Sequence, residues 1–326
     1  MKQWLIGIDV GGSQVKAAAC DAVSGEVLAR HAEPTRDGEE KDGMPAWAWA
    51  ARRFVTESQE RAGRKPTAIG IACPGLPAHD HRSIARMPGR LKGLEGFDWP
   101  RLLSRERGVT VLNDAQAALL AEVWQGAAKG LRHVILVTLG TGVGGAILSD
   151  GWLLHGTSHR AGHLGHISLD PFGTPDITGI PGSLEDAVGE ATLLSRSGGR
   201  FRTTAELLRA VAAGDPDAAR TWERSIRALG CGLASLVNIL DPEAIVIGGG
   251  IAQSGPLLYE PLQKVLDEVE WRPTGGAVRL LKAEMGEWAG AVGAAWFALS
   301  RVSPVRGSAR MNHRIARAGR GGGEHR

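Results

Sequence analysis

The chain has 326 residues, of which 43% are hydrophobic and 22% charged, a composition typical of globular proteins rather than disordered or membrane-embedded ones. Its formal charge of +3 is uneven: residues 301–326 hold seven arginines against one glutamate, and the rest of the chain is net negative, so the body has no basic excess for nucleic acid. The longest apolar runs, "HVILVTL" (133–139) and "AIVIGGG" (244–250), are far below the ~20 residues of a membrane span.

In chain order, "WLIGIDVGGSQVKAAACDAVSGEVLARHAEP" (4–34) reads as three strands. An apolar run meets an aspartate and two glycines, resumes, turns at "SGE" and resumes again. "MPAWAWAARRFVTESQERAG" (44–63) is an amphipathic helix with a glycine stop. "TAIGIACPG" (67–75) and "GVTVLND" (108–114) are strand-like, and "AQAALLAEVWQGAAKG" (115–130) is helical. "HVILVTLGTGVGGAILSDGWLLHG" (133–156) then repeats the order of the first segment, strand, glycine loop, strand, turn, strand. That is an internal duplication and implies two similar domains. "ARTWERSIRALGCGLASLVNIL" (219–240) is a long helix leading into the buried strand "EAIVIGGG", and "WAGAVGAAWFAL" (288–299) is a closing helix of small residues. The alternation is that of an α/β protein. The tail "RGSARMNHRIARAGRGGGEHR" is expected to be disordered. The N-terminus lacks the long apolar region and cleavage site of a signal peptide. The cysteines, Cys20, Cys73 and Cys231, lie far apart with no paired spacing, which suits a reducing cytoplasm.

Four glycine-rich strand ends stand out: "DVGGS" (9–13), "ACPGLP" (72–77), "LGTGVGG" (139–145) and "IGGGIA" (247–252). Ligands of open α/β sheets bind at the carboxyl ends of strands, where glycine lets backbone N–H groups approach phosphate. Neither a P-loop pattern nor a G-x-G-x-x-G after the first strand is present. Asp114 follows a buried strand and opens a helix, a position that suits a helix cap as well as a catalytic carboxylate. "AGHLGH" (161–166) sets His163 and His166 three apart among glycines, so they hold substrate, hold metal or only pack.

The ordered set "IGIDVGGSQVKAA", "GIACPGLP", "VLNDAQAALLAE", "VTLGTGVGGAIL", "GHLGHISLD" and "DPEAIVIGGGIA" resembles the ROK family of the hexokinase–actin-like ATPase superfamily, over roughly residues 4 to 298. The resemblance implies two ribonuclease-H-like domains with a cleft between them: 1–114, closed by a C-terminal helix at 288–300, and 115–287, followed by the tail 301–326. It implies ATP-dependent phosphorylation of a hydroxyl of a hexose or hexose-like sugar, with Mg²⁺ and with Asp114 as general base. By the same likeness Asp9 would hold Mg²⁺ through water. Gly11, Gly12, Gly140, Thr141 and Gly142 would face the phosphates, and Gly248, Gly249 and Gly250 the nucleotide. Lys16 would reach a phosphate or stand solvated on its strand. Gly75, Asn113, His163, His166 and Glu185 would meet the sugar, with His155 a further candidate. A homodimer is implied, to which Trp47, Trp49 and Trp124 would contribute unless they line the core.

Two departures from the family pattern matter. Members carry a glutamate in "GEIGH", followed by a cysteine cluster that holds structural zinc with the last histidine. Here His163 replaces that glutamate, Ser183 stands at the last zinc cysteine, and the next cysteine is Cys231. No zinc is therefore expected there, and Pro171, Pro175 and Pro181 are expected as rigid turn points of the loop. Histidine for glutamate changes the pattern of accepted hydroxyls, so a non-catalytic or regulatory sugar-binding ROK protein is the alternative. The repressor form of the family carries a winged helix-turn-helix ahead of the first strand, and with the first strand beginning by about residue 4 no such module is expected here.

Overall fold

The computed structural model describes residues 3–87, 89–103 and 108–302. From residue 303 onward the Arg-rich tail lies outside the described residues. The chain forms two compact units, each built on a five-stranded sheet.

In the first unit the strands are β1 (Trp4–Val10), β2 (Gln14–Asp21), β3 (Val27–Pro34), β4 (Ala68–Cys73) and β5 (Val109–Asn113), in the order β3-β2-β1-β4-β5. The first three form an antiparallel meander, and β4 and β5 add in parallel. Helices α1 (Ala46–Ala62) and α2 (Asp114–Gln125) belong to this unit. The second unit repeats the plan with β6 (Val134–Leu139), β7 (Val143–Ser149), β8 (Trp152–Leu153), β9 (Ala244–Gly248) and β10 (Arg279–Lys282), in the order β8-β7-β6-β9-β10. The same sequence of pairings in both sheets is the duplication read from the strand–glycine–strand pattern. Helices α3 (Leu184–Val188), α4 (Pro216–Leu240) and α5 (Pro256–Val269) follow in this unit, where Leu229, Leu233, Leu258 and Leu262 close a core with Ile245 and Ile247 of β9.

The last helix, α6 (Ala289–Val302), returns to the first unit. It is made of small residues because it lies almost in contact with backbone. A Cβ on Gly70 of β4 would sit 1.8 Å from the Ala294 carbonyl oxygen, and one on Gly293 would sit 1.7 Å from that of Ala117 in α2. Glu122, on α2 and 1% exposed, adds a polar tie. Its carboxylate accepts the backbone N–H groups of Glu284 at 3.0 Å, Met285 at 2.8 Å and Ala127 at 2.8 Å. These contacts explain where the units divide. The first comprises the chain to Leu131, residues His155–Ala161 and everything described from Glu284 on, so the expected break at 114 moves past α2.

Trp47 is fully buried and Trp124 stacks on Trp296 at 4.7 Å, which makes both core residues. Trp49 lies between Lys41 and Arg53 and donates to Asp42. Among the described residues no helix is long and apolar enough to cross a membrane.

Candidate active site

The first unit gathers its chemistry where β1, β4 and β5 end side by side, Asp9 opposite Ala72 and Cys73 opposite Asn113. Asp9 is half-buried at the end of β1. Burial, then the charge of Asp114, push its carboxyl up to about 7, against a lowering by Lys16. A buried carboxyl whose charge is disfavoured, beside the second and exposed carboxylate of Asp114, suits a divalent cation, whose own charge would reverse that effect. Oxygen donors of this kind fit Mg²⁺. The backbone of α6 presses on the same carboxylate, since a Cβ on Gly290 would meet Asp9 Oδ2 at 2.4 Å. Lys16, opposite Asp9 in the β1–β2 register, pairs with Glu287 at 3.0 Å. The turn after β1 is braced by Thr35, whose hydroxyl donates to the Gly11 carbonyl at 2.6 Å.

At the head of α2 the two polar residues divide the work. Asn113 is the cap: its side-chain oxygen accepts from the N–H groups of Ala115 and Gln116, and Gln116 completes a capping box. Its amide also donates to the Gly75 carbonyl at 3.1 Å, tying the end of β4 to the end of β5. Asp114 is the first helical residue and is exposed, with Oδ1 accepting from Ala115 N–H at 2.9 Å. The capping role that competes with catalysis therefore falls to Asn113.

In the second unit the turn Gly140–Gly142 is closed by Gly140 N–H on the Gly142 carbonyl at 3.0 Å. Glu185, one residue into α3, is fixed against it. Its Oε2 accepts from Val143 N–H at 2.9 Å, and a Cβ on Gly142 would strike that oxygen. The carbonyls of Gly140 and Thr141 accept from Glu190 and Ala191. Of the three glycines that end and follow β9, Gly249 is demanded by the fold, with φ of +87° and a Cβ position 2.2 Å from the Leu139 carbonyl oxygen. Gly250, like Gly12 and Gly140, has negative φ or extended backbone and nothing within 4 Å of its Cβ position. Glycine there leaves room beside the backbone that the fold itself does not use.

"AGHLGH" is a short turn seated on β7. Leu164–His166 form one turn of 3₁₀ helix, and a Cβ on Gly165 would lie 2.1 Å from the Val143 carbonyl oxygen. His163 and His166 are both half-buried. His166 Nδ1 lies 2.9 Å from Asp176, whose side chain is fully buried. Asp176 Oδ1 accepts from Thr178 N–H at 2.8 Å, Thr178 Oγ1 at 2.7 Å and Ile180 N–H at 3.1 Å. Burial alone would raise this carboxyl, but the bonds from Thr178, His166 and Ile180 outweigh it and hold it well below the ordinary range. An ionised carboxylate only accepts, so Nδ1 of His166 carries a hydrogen, and in the neutral form of the ring Nε2 keeps its lone pair. Pro171 lies in a turn, whereas Pro175 and Pro181 are not turn points but pair as a bridge on either side of the turn at 177–179, and Ser183, at the last zinc-cysteine position, caps α3 by accepting from Asp186 N–H. Asp176 and Ser183 are thus both taken up in hydrogen bonds within the loop. Sequence reasoning passed over Asp176. The D-x-T order of an Asx turn was the available signal.

A sequence profile of the ROK family matches residues 5–301. The chain belongs to the ROK family. A glucokinase of Streptomyces coelicolor is 31% identical over 323 residues, covering 89% of this chain and 96% of the relative. Among solved structures, the ROK hexokinase of Thermus thermophilus is 32% identical with a TM-score of 0.81, covering 92% of this chain and 99% of that one. A ROK glucokinase of Streptomyces griseus, solved with glucose and AMPPNP, is 28% identical with a TM-score of 0.71, covering 91% and 99%. The ROK fold thus accounts for both sheets and for the glycine turns that follow β1 and β6.

Proposed function

We infer that Asp114 is the general base of an ATP-dependent sugar kinase acting on a hexose or hexose-like substrate. Sugar kinase activity itself follows from family membership and from glucokinase and hexokinase relatives aligned over nearly the whole chain. The observation that carries the assignment of the base is the division of roles at the head of α2, where Asn113 caps the helix and Asp114 stands exposed beside it.

In this reading Asp114 orients a sugar hydroxyl and takes its proton as the oxygen attacks the γ-phosphorus. The bond to the bridging oxygen breaks, and ADP leaves with that oxygen. A positioned base of this kind contributes ~10²–10⁴-fold. Asp9 would hold Mg²⁺ through water, and the cation, when bound, neutralises charge on the phosphates. Gly11, Gly12, Gly140, Thr141 and Gly142 offer backbone to the phosphates, and Gly248 to Gly250 to the nucleotide. The open Cβ sides of Gly12, Gly140 and Gly250 support this. Lys16 reaches a phosphate only by leaving Glu287. The sugar hydroxyls fall to Gly75, Asn113, His163, His166 and Glu185, with Nε2 of His166 as an acceptor. The unpaired thiols Cys20, Cys73 and Cys231 support a cytoplasmic location, and homodimerisation belongs to the same reading.

The test is ADP release with Mg-ATP across hexoses, amino sugars, N-acetyl sugars and polyols, with mass spectrometry of each product. Wild type should yield a sugar phosphate, and Asp114→Asn should lose ~10²–10⁴-fold in kcat. Undiminished turnover in Asp114→Asn would remove the base from this position. Silence of the wild type across the panel, with sugar and ATP both bound, would favour the non-catalytic alternative.

A further inference from the structure

We propose that His81, His155 and His159 form a binding site for a divalent transition-metal cation, of which Zn²⁺ is the representative. All three belong to the first unit, although two come from the segment after β8. Their ring centroids form a nearly equilateral triangle, 5.0 Å for His81–His155, 5.0 Å for His81–His159 and 5.1 Å for His155–His159. One ring nitrogen from each lies within 4.8 Å of the others. No other set of three histidine, cysteine or carboxylate donors is so close among the described residues.

Four further observations point to a ligand. First, His81 is oriented by a backbone partner: its Nδ1 lies 3.0 Å from the Val111 carbonyl, and its own carbonyl accepts from Val111 N–H at 2.7 Å. Nδ1 therefore carries the hydrogen, and Nε2 is left to ligate, as outer-shell carbonyls arrange it in metal sites. Second, the Nδ1 atoms of His155 and His159 are buried with no hydrogen-bond partner among the described residues. Such orphaned groups ordinarily cost enough to be avoided, and a metal would satisfy them. Third, His81 and His159 both hold φ of +57°, an unusual region for a non-glycine residue that tends to mark functional positions. Fourth, burial pushes the imidazolium forms of His81 and His155 down to about 4, with neighbouring histidines and Arg301 adding to the effect, and lowers that of His159. The rings are therefore neutral, as metal ligation requires.

The donor set selects the cation class. Three neutral imidazoles suit Zn²⁺, Co²⁺, Ni²⁺ or Cu²⁺ and do not suit Mg²⁺ or Ca²⁺, which take oxygen. At Zn–N distances of about 2.0–2.1 Å the ligand nitrogens lie roughly 3.3 Å apart, so the rings must close inward by side-chain rotation. Phe297 of α6 walls the site, 5.1 Å from His81 and 6.1 Å from His155. Water takes the fourth position. The bound cation would staple the segment 155–161 to the turn around His81 in the connection between β4 and β5. In the chain that segment runs directly into "GHLGH".

The test uses the full-length protein, stripped with a chelator and titrated with Co²⁺ and then Zn²⁺. Calorimetry gives the stoichiometry, and visible d–d absorption reports the Co²⁺ geometry. The expected result is one equivalent with four-coordinate bands, displaced by Zn²⁺, and at least about 100-fold weaker binding in His155→Gln/His159→Gln and in His81→Ala, since loss of even an outer-shell partner costs 10–100-fold. Circular dichroism confirms that the variants fold, and either variant suffices should the other fail. His166→Gln should keep the full Co²⁺ signal. Wild-type binding no tighter than that of the double variant, or loss of the signal in His166→Gln, overturns the proposal.

Discussion

Asp176 organises the loop after His166, and replacing it separates two effects. Asp176→Ala removes an acceptor of four hydrogen bonds, three on Oδ1 and one on Oδ2. Hydrogen bonds to a charged group are each worth about 1.5–3 kcal/mol. Discounting for partly exposed donors that recover water, the loss is about 3 kcal/mol. Asp176→Asn keeps the Oδ1 acceptor and so most of the turn, but it turns an amide N–H₂ toward His166. Nδ1 must then accept, the ring hydrogen moves to Nε2, and the acceptor proposed for the sugar becomes a donor. A buried mismatch of about 1–3 kcal/mol corresponds to a KM for sugar raised roughly 5- to 150-fold, with kcat little changed. Urea midpoints give the first effect and initial rates the second. The stability effect also has a pH signature. The native carboxyl lies below its unfolded value of about 3.9, so its contribution is complete above that value and fades as pH falls through the native pKa. Wild type and Asp176→Ala should therefore converge in strong acid. A wild-type KM in Asp176→Asn would refute the role given to His166 Nε2, and a stability gap that persists unchanged in acid would refute the role of the carboxylate.

Three other substitutions probe the frame and the pocket. Gly293→Ala places a Cβ where only 1.7 Å separates it from the Ala117 carbonyl oxygen; it should cost about 1–3 kcal/mol in thermal unfolding and lower kcat by displacing α2, which carries Asp114. Glu122→Gln leaves at least one of the amides of Ala127, Glu284 and Met285 without its acceptor, a loss of about 1–3 kcal/mol that should appear as faster hydrogen exchange at one or more of residues 127, 284 and 285. His163→Glu restores an acceptor-only group and should move the ratio of kcat/KM between glucose and its epimers by roughly 5- to 150-fold; an unchanged ratio would take His163 out of sugar selection.

Much of this was readable from residue order alone. The two meanders announced themselves because apolar runs broken at "DVGG" and "LGTG" leave few alternatives to strand, turn, strand, and the repeat of that order foretold two sheets. β10 was missed because "RLLK" is an edge strand with charged ends and only half-buried leucines, so it lacks the continuous apolar run of β4 or β9. Which of Asn113 and Asp114 caps α2 depends on backbone angles. Asn113 is extended at φ −70° and ψ 148°, and the pair of letters does not encode that. The break at 114 was misplaced because α2 follows β5 without a linker signal, while what binds it to the first unit is bare backbone on backbone at Gly293. The histidine triangle joins positions separated by more than seventy residues, and no local spacing reveals such a set.

The loop from His166 to Ser183 shows how one polar node can replace another. In the pattern that this stretch resembles, a metal draws a histidine and three cysteines together. Here four donors converge on Asp176, His166 among them, and the bridges Ser168–Ser183 and Pro175–Pro181 close the rest. Both devices concentrate the order of a loop in a single centre, but their weaknesses differ: a metal node fails to chelators, a carboxylate node to protons. Amide exchange at Thr178 and Ile180 should therefore be unchanged by a strong chelator at neutral pH and should accelerate once Asp176 takes up its proton. Exchange that quickens with chelator at neutral pH would mean that a metal, and not the carboxylate, holds this loop.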